Sequence, residues 1–395
     1  MKHELAAVGL VTLLLAGALI APSRIALSEG ALNRLASENI PPVFQKGMSF
    51  ASWSPDFDIA NSNESLSLLR LTNTDWVAIC VCWCQEYFTS TEIHPENNSP
   101  SNSSVAQIIE MCHELGMKVM LKPMVDPMDG SWRGTIPGST AWFQSYANFI
   151  NFWADFSQEY GVDLLCIGCE FSANDNDTAA WESIVAGVRA RYTGPITYAA
   201  NWTNYQEIEW WGELDYVGID AYFPLTNETN PTVEDLENAW GQWANSMDAW
   251  QATVNKPVIF TEIGYRSQEG NNEVPWGYTS MPVDLQEQVN CYEATFQTFW
   301  NRSWFYGFYW WYWETDPNAG GENDTGYTPQ NKPVQSLITN WYGEIRTIPE
   351  YPASVFVAVL VATSLFCLCC FSKTYVRRFL ARARIEQKSN VKHNA

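Results

Sequence analysis

The chain has 395 residues, 46% of them hydrophobic, and carries 20 Trp, 18 Tyr and 19 Phe, which is ample for one large core. Its formal charge is −22 and unevenly spread: Lys373, Arg377, Arg378, Arg382, Arg384, Lys388 and Lys392 crowd the C-terminus beside one acid, Glu386, and leave 15 basic against 43 acidic residues in the rest. That surplus of acid argues against nucleic acid as a partner of the main domain and fits a solvated, exported surface with a neutral ligand.

Lys2 precedes an apolar run over 6–21 that is interrupted only by Thr12 and closed by Pro22. A positive start before such a run reads as a signal peptide or short signal anchor over 1–22. Residues 23–45 form a linker closed by Pro41-Pro42, and the main domain spans 46–345. Gly47-Met48-Ser49-Phe50-Ala51 opens it as a strand that ends near Trp53. A leucine-rich helix over 65–71 precedes a second strand over 75–83. Cys80, Cys82 and Cys84 alternate there and share one face. The Asn-, Ser- and Pro-rich stretch 97–104 is a loop, 105–115 a helix ended by Gly116, and 118–123 the third strand. A loop with Asp126, Asp129, Trp132 and Arg133 leads to an aromatic helix over 141–160. The fourth strand is the apolar run 162–169, which delivers Glu170. Helix 178–192 and strand 196–201, ending in Asn201, come next. Strand 215–222 carries Asp220 and Tyr222, and a long helix covers 233–253 behind Pro231. Lys256-Pro257-Val258-Ile259 leads a buried seventh strand into Phe260-Thr261-Glu262-Ile263-Gly264-Tyr265. A helix over 284–302, a strand over 307–313 ending in Trp313 and a helix over 333–342 complete the domain.

Beyond it, the apolar run 353–371 has the length that spans a bilayer, and the basic tail 372–395 places its far end in the cytoplasm. The chain therefore reads as single-pass, with the main domain extracellular or lumenal. Eight Asn-x-Ser/Thr sequons agree with export: Asn63, Asn97, Asn102, Asn176, Asn201, Asn227, Asn301 and Asn323. Asn201, inside a strand-end run, is expected to be buried and unmodified. Of ten cysteines, Cys367, Cys369 and Cys370 lie in the apolar run. No CxxC pairs with another, and His94 and His113 stand far apart, so there is no zinc signature and no metal is expected.

Eight strand–helix alternations imply a parallel sheet closed into an α/β, (β/α)8 TIM barrel, with no second soluble domain. In such a barrel the C-terminal strand ends share one mouth. They supply Trp53, Trp83, Lys122, Glu170, Asn201, Tyr222, Glu262 and Trp313. Several have plain structural alternatives: a rim Trp packs, Lys122 has Asp126 as a candidate partner, and Asp220 is a candidate structural group inside the barrel. Glu170 and Glu262 differ, because each ends an apolar strand where a bare charge needs a cavity. Few basic residues stand at the strand ends to neutralise both. Two carboxyls facing one cavity suit glycoside hydrolysis, provided one is kept protonated by an apolar pocket and the other is kept ionised by hydrogen bonds.

Trp132-Arg133-Gly134, Tyr198-Ala199-Ala200-Asn201-Trp202, Gly218-Ile219-Asp220-Ala221-Tyr222-Phe223-Pro224-Leu225 and Phe260-Thr261-Glu262-Ile263-Gly264-Tyr265 together resemble glycoside hydrolase family 113. Its characterised members are mainly retaining β-1,4-mannanases, and the likeness runs from about Lys46 to Trp341. The resemblance implies that Glu170 is the acid/base and Glu262 the nucleophile. It implies that Tyr222 hydrogen-bonds the nucleophile and that Trp313 floors the subsite of the reacting sugar. Lys122, Arg133, Asn201 and Trp53 match positions expected to contact substrate. One position departs: many enzymes of the wider clan carry Asn before the acid/base to hold the sugar's 2-hydroxyl, and here stands Cys169. The implied protein is a membrane-anchored retaining hydrolase of a polysaccharide or oligosaccharide, β-1,4-mannan first, that needs no cofactor. Two other readings share the residues: a transglycosylase remodelling surface glycan, and a non-catalytic carbohydrate receptor. Oligomeric state is not legible.

Overall fold

The computed structural model describes residues 44–344 and 346, apart from 278 and 279. The signal segment, most of the linker, the run 353–371 and the basic tail lie outside the described residues. Among the described residues no helix is long and apolar enough to cross a membrane.

Eight strands form a closed barrel in sequence order. They are β1 (Gln45–Ala51), β2 (Trp76–Gln85), β3 (Lys118–Pro127), β4 (Leu164–Cys169), β5 (Ile196–Asn201), β6 (Val217–Asp220), β7 (Val258–Ile263) and β8 (Phe305–Trp313). Every neighbouring pair is parallel, and β8 returns to β1. Helices α1 (Ile59–Arg70), α2 (Asn102–Glu114), α3 (Thr140–Tyr160), α4 (Thr178–Arg189), α5 (Val233–Val254), α6 (Leu285–Phe299) and α7 (Pro333–Gly343) connect them. The expected (β/α)8 alternation holds with one substitution: two short 3-10 turns, Tyr205–Glu207 and Trp210–Glu213, stand between β5 and β6. Their Trp210 and Trp211 do the covering that a helix would, each donating its indole N–H to a backbone carbonyl.

Local chemistry explains the boundaries. Thr232 and Asp235 form a reciprocal cap that starts α5, and Gly161 takes φ 68° to end α3. Strand residues then sort by face. Outward side chains such as Val77, Ile79, Leu165, Ile167 and Phe260 pack under the helices in one large core. Inward ones, among them Ala78, Cys80, Met120, Leu164, Cys166 and Ile259, fill the barrel.

Two placements correct the sequence expectations. β3 continues to Pro127, so Lys122 lies in mid-strand, wholly buried, rather than at a strand end. Trp83 turns outward onto Phe149, Phe152 and Trp153 of α3, at ring separations of 5.3, 5.7 and 6.0 Å, and does not face the mouth.

Candidate active site

Glu262 is the penultimate residue of β7. Lys122 Nζ donates to its Oε1 (2.5 Å) and the Tyr222 hydroxyl to its Oε2 (2.8 Å). Tyr222 sits two residues past β6, where burial pushes its phenol well up and keeps it a donor. Both carboxylate oxygens therefore meet donors, one of them charged. Gly264, just beyond, is required by close approach: a Cβ there would stand 2.5 Å from the carbonyl oxygen of Trp311.

Glu170 is the first residue after β4, held at φ 55° in the left-handed region. Its N–H donates to Ala199 O (2.8 Å) on β5 and its carbonyl accepts from Ser172 N (2.8 Å), so the turn is fixed on both sides. Asn201 Nδ2 donates to Glu170 Oε1 (2.7 Å) and Trp132 Nε1 approaches Oε2 (3.4 Å). Burial first, and the Glu262 charge second, push the Glu170 carboxyl above its usual range; the Arg133 charge and the Asn201 hydrogen bond pull the other way without prevailing. The two glutamates thus meet unlike surroundings at one end of the barrel.

Beneath them lies a charged floor. Lys122 Nζ also reaches Asp220 Oδ1 and Oδ2 (3.1 and 3.2 Å), and Thr261 Oγ1 donates to Asp220 Oδ1 (2.8 Å). Asp126 is not the lysine's partner; it binds Arg133 through two bonds, Nε–Oδ1 2.7 Å and Nη2–Oδ2 3.0 Å. The remaining Arg133 nitrogen, Nη1, faces the sulfurs of Met124 (2.9 Å) and Cys169 (3.1 Å). Among the described residues, the ligating atoms of Cys169, Asp220 and Glu262 lie within 4.8 Å of one another. The Lys122 ammonium already bonds to both of those carboxylates and supplies the positive charge there.

The aromatic residues divide. Trp53 is 52% exposed and edges onto Tyr312 at 6.1 Å. Trp313 is 1% exposed, and its Nε1 donates to Ser65 Oγ (2.8 Å) of α1. It lies in the helix layer and cannot floor a sugar subsite. The cause is an extra residue in β8: Met48 and Phe50 of β1 face Trp310 and Trp313, so two steps on one strand meet three on the other. Trp310 and Trp313 both turn outward, while Trp311 and Tyr312 are partly exposed and pack against the barrel-filling cluster. Trp311 is the residue that sequence reasoning missed. Simple alternation from Trp313 would have put it on the same face, and only the register against β1 separates them.

The family model of glycoside hydrolase family 113 matches residues 48–332. The chain belongs to glycoside hydrolase family 113. A solved complex of a family 113 β-1,4-mannanase is 25% identical, with a TM-score of 0.71 over 77% of this chain and 100% of that one. The family 113 β-mannanase of Alicyclobacillus acidocaldarius, in complex with ManMIm, is 26% identical, with a TM-score of 0.69 over 76% of this chain and 97% of that one. The β-glucuronidase of Ruminococcus gnavus, at 15% identity and a TM-score of 0.54 over 77% of this chain and 51% of that one, shares the fold alone. No curated protein matches the chain. This family 113 member is a glycoside hydrolase on a β-mannanase-like barrel.

Proposed function

We propose that this enzyme is a retaining β-glycosidase that cleaves β-1,4-mannan by double displacement. The carrying observation is the unequal treatment of its two glutamates: donors hold both oxygens of Glu262, while burial and the Glu262 charge bias Glu170 towards its protonated form. In the first step a Glu262 oxygen bonds to the anomeric carbon as the glycosidic C–O bond breaks. The departing oxygen keeps the bonding electrons and takes the Glu170 proton. In the second step Glu170, now ionised, takes a proton from water, the water oxygen bonds to the anomeric carbon, and Glu262 leaves as carboxylate.

Substrate class rests on the family 113 β-mannanases that this chain resembles, and on exposed aromatic rings in the loops that follow β1, β2, β3 and β7: Trp53, Tyr87, Trp132 and Trp276. The catalytic unit is 46–345, outside the cell or in a lumen. The apolar run 353–371 tethers it and leaves 372–395 in the cytoplasm; the charge asymmetry of the sequence supports this orientation.

The test is reducing-end release by the purified full chain from β-mannan, β-glucan, xylan and β-galactan, beside Glu262→Ala. Release from β-mannan, abolished in the variant, is the expected result. Release from another polymer alone overturns the substrate, and an α-anomer as the first product seen by NMR overturns double displacement.

A further inference from the structure

Lys122 has more acid around it than its own charge can balance. Its ammonium has three N–H bonds, and three carboxylate oxygens receive them: Glu262 Oε1 at 2.5 Å and the two Asp220 oxygens at 3.1 and 3.2 Å. Asp220 is itself fixed, by Thr261 Oγ1 at Oδ1 (2.8 Å) and the Cys169 thiol at Oδ2 (3.3 Å). All of these groups are buried. The titratable neighbours are Cys80 on β2, Cys166, Cys169 and Glu170 at β4, Asp220 on β6, Tyr222 just past it and Glu262 on β7, with Arg133 beyond β3. Burial pushes the three thiols and the Tyr222 phenol up, so all four stay neutral. With Asp220 and Glu262 ionised, the lysine and its two carboxylates carry one net negative charge.

Esterification of Glu262 changes that sum. Attack consumes the Glu262 charge, and the ammonium is left facing Asp220 alone, a balanced pair. Without the Asp220 charge, Lys122 would bind Glu262 undivided and hold it as carboxylate. Esterification would then strand an unpaired ammonium in a site from which water is excluded, a large penalty. We infer that Asp220 is a positioning residue for the Glu262 reaction: it draws Lys122 partly off the nucleophile, and it balances the ammonium once the glycosyl ester has formed. The inference rests on the double-displacement reading of the site. It also accounts for a Lys–Asp pair placed under the site where the sequence suggested a direct substrate contact. Burial first, and then the Glu262 charge, push the Asp220 carboxyl up to about 7 against the pull of Lys122. Acidification through that range therefore neutralises Asp220.

The experiment labels the full chain with 2-deoxy-2-fluoro-β-mannosyl fluoride and follows intact mass. A Glu262 oxygen bonds to the anomeric carbon, the C–F bond breaks, and fluoride leaves with the electron pair, so the Glu170 proton is not needed. Reactivation is followed after the probe is removed. At pH 8, Asp220→Asn should label at least about tenfold more slowly, the weight of one charge-assisted contact. Its ester should also break down faster than that of the unaltered enzyme. Opposite movement of the two rates is the signature, because a merely structural role would slow both. The unaltered enzyme supplies a second measurement that needs no variant: from pH 8 to pH 6, where Asp220 loses its charge while Glu262 is still free, its labelling should slow. Equal labelling of Asp220→Asn and the unaltered enzyme, or labelling flat between pH 8 and 6, overturns the inference while double displacement stands. Absence of label on Glu262 in the unaltered enzyme overturns both.

Discussion

At the scale of single residues, the site depends on donors chosen for each carboxyl. Asn201 Nδ2 is the closest donor to Glu170, at 2.7 Å, and it favours the ionised form. Asn201→Ala should therefore raise the Glu170 pKa further and move the basic limb of kcat/KM to higher pH. The same change makes Glu170 a less well-held base in the second step, so kcat should fall roughly tenfold, as for loss of a hydrogen bond to a charged group. A pH–rate profile decides this: a limb that stays put, or moves towards acid, removes Glu170 from the role of acid. The Glu170–Asn201 contact follows from adjacency, because both residues end neighbouring strands that the sequence orders correctly. The partner of Lys122 does not follow. The sequence offers Asp126, four residues on, but four residues of strand span about 13 Å. The lysine pairs instead with Asp220, 98 residues away, a contact that exists only once the sheet has closed.

At the scale of elements, β8 is where periodicity misleads. Its run of aromatic residues over 305–313 makes every position look alike, and the extra residue opposite Met48 and Phe50 reverses faces half-way along. Trp313→Ala should therefore behave as a core truncation, losing about 3–5 kcal/mol of stability in denaturant unfolding. Trp311→Ala should leave most of the stability and lower kcat/KM on mannan at least about tenfold, as loss of a stacking surface would. If the two variants exchange these behaviours, the assignment of faces is wrong. Elsewhere the elements were legible because their signals are local: Gly161 stops α3, Pro333 opens α7, and apolar runs mark β4 and β7. The turns between β5 and β6 carried no helical period, since Trp210 and Trp211 cover the barrel from short 3-10 segments.

At the scale of the whole molecule, the interior holds carboxyls that prefer their protons. Burial raises Asp175 to about 6 and Asp220 to about 7, and it raises Glu170 as well. In the unfolded chain these groups ionise at ordinary carboxyl values. Between those values and the raised ones the folded state binds more protons, so their contribution to stability is full in acid and is lost as pH rises through the raised values. The formal charge of −22 adds self-repulsion in the same direction. Calorimetry should find Tm higher at pH 5 than at pH 8, by on the order of 5 °C. A Tm that rises over that interval would contradict the assignment, and Asp175→Asn should flatten part of the slope. One further consequence lies in Asn201-Trp202-Thr203. Seven sequon asparagines, Asn63, Asn97, Asn102, Asn176, Asn227, Asn301 and Asn323, are exposed, whereas Asn201 is 8% exposed and its amide nitrogen is the donor to Glu170. That nitrogen is also the atom an oligosaccharide transferase would modify. A chain made in a glycosylating compartment thus works to a deadline. β5 must seat between β4 and β6 before a sugar arrives, because a glycan on Asn201 replaces one of the two hydrogens on the nitrogen that donates to Glu170 and bars the strand from its place. The specific activity of a preparation then records the order of two events during biogenesis, closure of the fifth strand or transfer of a sugar.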